Sequence, residues 1–153
     1  MISTVLLIMI VVVIAVIILL WYMNFQGEQL LKFDKPIDFA CGDVYIEPYM
    51  NLDNSTGYKN KGNVPVYAVN LQLTDEFGNI KTEKITGERG GKADIGDVTI
   101  FLNSDGSDFK ITSDYDEITV VPILYGKTNS GTVKEYECPN TYGVKIWERG
   151  NQN

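Results

Sequence analysis

Residues 5 to 23 read VLLIMIVVVIAVIILLWYM, an unbroken apolar run inside an opening of 27 residues that holds no Asp, Glu, Lys or Arg. A helix of this length spans roughly 28 Å at about 1.5 Å per residue, close to the hydrocarbon thickness of a bilayer. Val5, Leu6, Ile8, Ile10, Val12, Val13, Ile14, Val16, Ile17 and Leu20 leave no polar face, which excludes a surface helix of a soluble domain. Lipid or other apolar helices are the expected neighbours. Trp21 and Tyr22 are residue types expected at a membrane interface. No Lys or Arg precedes the run and no small-residue cleavage site follows it, so the expectation is a retained segment rather than a discarded signal peptide.

Beyond the run, Leu30 and Phe33 keep helical spacing until Asp34-Lys35-Pro36, and the pattern predicts one helix from Ile2 to Phe33, roughly 48 Å long. Gly27 at the exit reads either as a bend or as a plain surface glycine. The expected organisation is a hydrophobic helical unit over residues 1–35 and an exported β-domain over residues 36–153. All 13 basic and 20 acidic residues lie beyond the apolar opening, and the net charge is −7. An acidic domain without a basic cluster argues against a nucleic-acid partner.

From Cys41 onward the pattern alternates. Asp43 to Glu47, Val64 to Leu73, Ile80 to Thr86, Val98 to Leu102, Phe109 to Thr112, Ile118 to Tyr125, Thr132 to Cys138 and Val144 to Trp147 read as short strands separated by Gly, Asn and Asp turns. Such spacing predicts an antiparallel β-sandwich. Behind the helix, it places the chain in the α+β class. Asn51 to Asn60 and Glu88 to Lys92 read as outward loop tips.

Cys41 and Cys138 are the chain's two cysteines. In an exported domain they read as a disulfide tying its ends together, the alternative being two separate buried thiols. Without histidine, and with no Gly-x-Ser-x-Gly element, neither catalysis, a metal nor another cofactor is expected. Asp105 to Asp108 and Asp114 to Glu117 could offer oxygen ligands to Ca²⁺ but do not match the twelve-residue EF-hand loop, so they read as solvated turns. No second acid is placed opposite Asp114, Asp116 and Glu117, as a glycosidase would need. Asn54-Ser55-Thr56 is an N-glycosylation sequon in a polar loop, and an unmodified loop explains it equally well.

The opening Ile2-Ser3-Thr4-Val5, followed at once by the apolar run, resembles the mature N-termini of archaeal type IV pilins and archaellins. Val5 stands where bacterial type IV pilins carry glutamate, which points to the archaeal branch. Asn63 to Tyr67, Val120 to Gly126 and Lys134 to Cys138 are similar to segments of the immunoglobulin-like headgroups of such proteins. The resemblance implies a basic leader removed by a prepilin peptidase, a precursor held in membrane lipid, an assembly machinery, and an extracellular homopolymer with an immunoglobulin-like outer domain. Val5, Leu6, Ile8, Ile10, Val12, Val13, Ile14, Val16, Ile17, Leu20 and Trp21 then form the filament core, passed from lipid to neighbouring copies. Exposing these side chains to water would cost tens of kcal/mol, at roughly 1.5 to 3 kcal/mol each. Ala15 is the one small residue in the run, so interdigitated Val, Ile and Leu must supply the packing. The alternative is a single-pass, membrane-anchored cell-surface protein whose β-sandwich binds a partner.

Overall fold

The computed structural model describes the backbone of residues 2–25, 31–32 and 35–150, and side chains over 5–20, 32 and 35–150. Helix α1 spans Ile2–Phe25. It is followed by β1 (Leu31–Lys32), β2 (Lys35–Pro36), α2 (Ile37–Gly42), β3 (Ile46–Met50), β4 (Thr56–Asn60), β5 (Ala68–Thr74) and β6 (Ile80–Ile85). After a 3₁₀ turn at Gly87–Arg89 come β7 (Val98–Ile100), β8 (Glu117–Lys127) and β9 (Val133–Glu137). A second 3₁₀ turn at Asn140–Tyr142 leads into β10 (Val144–Glu148).

Two sheets result, one of seven strands and one of three ordered β3-β4-β7. β8 organises the larger sheet. One of its edges pairs with β5 from Glu117 to Ile123 and with β1 at Lys127. Its other edge pairs with β10 from Glu117 to Val120 and with β9 from Ile123 to Lys127. A proline in such a strand removes a donor, and Pro122 stands where that loss is tolerated. Its carbonyl accepts from Cys138 N, so its missing N–H faces the gap between the end of the β10 pairing and the start of β9. The chain turns over this gap at Asn140–Tyr142 before returning as β10.

The inner faces carry the core. Val69, Leu71 and Leu73 of β5 and Ile118, Val120 and Leu124 of β8 alternate toward Ile46 and Tyr58 of the smaller sheet and Phe101 just beyond β7. Tyr58 and Phe101 pack with ring centroids 5.6 Å apart. The Tyr58 hydroxyl donates to Gly91 O at 2.8 Å, and burial pushes its pKa well above the usual phenol value. Asn60 is fully buried, donating to Val64 O and Ala93 O while accepting from Gly62 N. Gly57 is required because a Cβ there would lie 1.9 Å from Thr99 O across the β4–β7 pair.

Several expectations are corrected. Among the described residues strands make up 42%, so this is a mostly-β protein rather than an α+β protein built on a long N-terminal helix. The described helix covers Ile2–Phe25, and the expected single helix to Phe33 is overturned at Leu31 and Lys32, which hydrogen-bond into the sheet because β2 and Lys127 offer them strand partners. Gly27, Leu30 and Phe33 lie outside the described residues. Among the described residues, no helix is long and apolar enough to cross a membrane. Seven strands against three also depart from the four-against-three immunoglobulin arrangement, because β8 takes β9 and β10 in succession along one edge. Finally, the expected loop tip from Asn51 to Asn60 is half strand: β4 is the middle strand of its sheet, and Thr56, Gly57, Tyr58 and Asn60 are buried.

Cys41 and Cys138 are joined in a disulfide with a Cα–Cα distance of 5.8 Å and a sequence separation of 97. Both sulfurs are buried, and the bond fastens α2 to the gap between β9 and β10. A loop of this size constrains the unfolded chain by about 4 to 5 kcal/mol in the chain-entropy model. Denaturant unfolding of the Cys41→Ala/Cys138→Ala protein is therefore expected to show a loss of about that size. A loss below about 1 kcal/mol would show that the bond does not constrain the unfolded chain.

Candidate functional site

The largest uncovered apolar surface belongs to α1. Every residue from Val5 to Leu20 is exposed, and the large side chains range from 49% at Val16 to 68% at Met9. The expected filament-core residues Val5, Leu6, Ile8, Ile10, Val12, Val13, Ile14, Val16, Ile17 and Leu20 thus surround the helix with apolar atoms that its own β-domain does not cover. The side chain of Trp21 lies outside the described residues. Burying this apolar surface would gain roughly 1.5 to 3 kcal/mol for each side chain.

Where α1 leads into the domain, Lys32 is anchored. Its ammonium donates to Pro65 O at 3.2 Å and lies 5.6 Å from the centroid of Tyr67, whose ring stacks on Tyr125 at 4.2 Å. Burial lowers its pKa to about 8.

The sequon residue Asn54 is exposed and takes a left-handed backbone with φ of 64° in the β3–β4 turn. Asp53 stabilises that turn, accepting from Ser55 N and Ser55 Oγ, while Lys110 lies 3.3 Å from its other oxygen. Thr56, whose hydroxyl completes the sequon, is buried and donates to Tyr49 O. The folded turn therefore presents the asparagine but encloses the hydroxyl, which sequence spacing could not reveal.

Two more turns repeat the aspartate device. Asp75 accepts from Phe77 N, Asn79 N and Asn79 Nδ2, and Asp105 accepts from Ser107 N and Oγ. These loops are self-satisfied turns. Asp114, Asp116 and Glu117 sit at one end of β8, where Arg149 Nε lies 3.0 Å from Asp116 Oδ1 without the alignment of a hydrogen bond, and Lys145 pairs with Glu117. Among the described residues no acid, cysteine and histidine group is arranged to hold a metal ion. The grooves beside these acids are shallow and open.

Hydrogen bonding holds several carboxyls below their usual range: Asp53 mainly through the Ser55 hydroxyl, Asp75 through the Asn79 amide, Asp105 through the Ser107 hydroxyl and Glu117 through Lys145. The unfolded chain then binds protons more readily than the folded one, so this stability is present above the ordinary values of 3.8 and 4.5 and is lost as pH falls through the depressed ones. Thermal midpoints are expected to hold steady down to that range and then fall. Asp75→Ala should shallow the fall, and an unchanged slope would remove Asp75 from the account.

No protein-family model, no curated protein and no solved structure matches this chain.

Proposed function

We propose that the chain is the structural subunit, a pilin, of an extracellular type IV pilus-like filament, a homopolymer with α1 helices bundled in its core and the β-domains outside. The observation that supports this reading is the uncovered apolar circumference of α1 from Val5 to Leu20. One exposed face would need one partner; exposure on all sides needs a surrounding medium or several neighbours. Lipid surrounds the segment in the precursor, and copies of the same segment replace it on assembly. A repeated heterologous contact that does not close produces a fibre.

The β-domain suits an outer wall. It is cross-linked by Cys41–Cys138 and acidic, and among the described residues it has no group of acids and cysteines that could hold a metal ion. The role is mechanical, in adhesion or contact between cells, and no catalytic step is assigned. The prepilin peptidase, assembly machinery and membrane lipid enter as partners through the N-terminal resemblance, and attachment of a glycan at Asn54 would make the fibre a glycoprotein.

A competing reading has the chain as a lipid-held monomer whose β-domain binds a surface partner. Leu52 and Phe77 favour it, as large apolar side chains standing exposed at the β3–β4 and β5–β6 turns. Electron microscopy of sheared cell-surface material separates the two. The filament reading predicts fibres that contain this chain and disappear on Ile10→Asp or Ile14→Asp, because a carboxylate inside an apolar bundle costs several kcal/mol. Recovery of the unsubstituted chain solely as dispersed protein would overturn it.

A further inference from the structure

The two ends of the large sheet carry opposite charge. β8 has 11 residues, beginning at Glu117 and ending at Lys127, so a carboxylate and an ammonium mark ends roughly 33 Å apart at about 3.3 Å per residue. Thr74 and Glu148 both pair with Glu117, bringing the ends of β5 and β10 to the first end. Open grooves there are lined by Asp75, Glu76, Asp114, Asp116, Glu117 and Glu148. Arg149 offsets Asp116, and Lys145 serves Glu117 and Glu148. The remaining negative charge rests on Asp75, Glu76 and Asp114.

At the opposite end, Lys127 pairs with Leu31 and Val133, Lys134 with Gly126 and Lys35 with Lys32. Lys35, Lys127 and Lys134 are exposed. Among the described acids nearby, Glu135 is paired with Lys84, and Asp38 accepts from the Tyr136 hydroxyl and keeps its charge, one carboxylate against three exposed lysines. Asp34, between the lysines in sequence, lies outside the described residues.

We propose that the carboxylate end of one copy seats on the lysine end of the next, so that the β-domains stack end to end along the polymer. This rests on the filament reading and adds the contact that sets its polarity. Like ends repel, which disfavours a closed two-fold dimer through either end. Unlike ends attract and leave a free end of each kind, the condition for open growth. The attraction acts at contact range, because salt screens exposed charges beyond about 8 to 10 Å.

The test uses the full chain assembled from equal parts of ¹⁴N- and ¹⁵N-labelled copies, treated with a zero-length carbodiimide that joins a lysine amine to a carboxylate as an amide. Mass spectrometry is expected to find mixed-isotope links from Lys35 or Lys127 to Asp75, Glu76 or Asp114. Lys35→Glu/Lys127→Glu should slow assembly by about tenfold, and adding Glu76→Lys/Asp114→Lys to the same chain should restore the assembly rate by swapping both ends. Polymer whose mixed-isotope links all join other residues, or whose assembly ignores the reversal, would overturn the end-to-end contact while leaving the α1 polymer standing. Absence of any polymer from the unsubstituted chain would overturn both.

Discussion

The pairing of both edges of β8 is the constraint on which the rest of the domain depends. A strand from Glu117 to Lys127 has more length than any one partner covers, so each edge takes two partners in succession. On one side β5 gives way to β1; on the other β10 gives way to β9. The second handover leaves a gap opposite Pro122, whose absent N–H needs no acceptor there. Across that gap the chain turns at Asn140–Tyr142, and Cys138 beside it reaches Cys41 on α2. A backbone donor missing from one residue, a turn and a covalent bond are thus parts of one local solution.

Much of this was legible where the cause is local. Ile118 to Tyr125 announced itself by its apolar content, and Val69, Leu71 and Leu73 by their alternation. The disulfide was expected from the chain's two cysteines. What was hidden depends on distant partners. Leu31 and Lys32 carry helical spacing with Leu30 and Phe33, yet pair with β2 and Lys127. Tyr58 and Asn60 sit among Gly57, Lys59 and Lys61, a composition that reads as a loop. They are buried because Gly91, Val64 and Ala93 satisfy their polar atoms. α2 is short and follows Pro36, so periodicity had too few residues to show it.

The functional surface divides in the same way. The apolar side chains of α1 are visible in the sequence because their meaning does not depend on the fold. The opposed charges at the two ends of β8 are not visible there, since the pairing of Thr74 and Glu148 with Glu117 is what brings Glu148 and the turns carrying Asp75 and Asp114 to one end. Likewise, the sequon was readable but the enclosure of Thr56 was not. The chain thus combines a helix whose apolar surface awaits a cover with a β-domain that satisfies its own core.

The central claim is that copies of this chain supply that cover to one another. A spin label placed at Ile14→Cys in the assembled protein reads it directly, because packed helices lie about 8 to 10 Å apart between axes. The account predicts strong dipolar broadening that vanishes when labelled copies are diluted with unlabelled ones. Narrow, dilution-independent spectra from the assembled chain would contradict it.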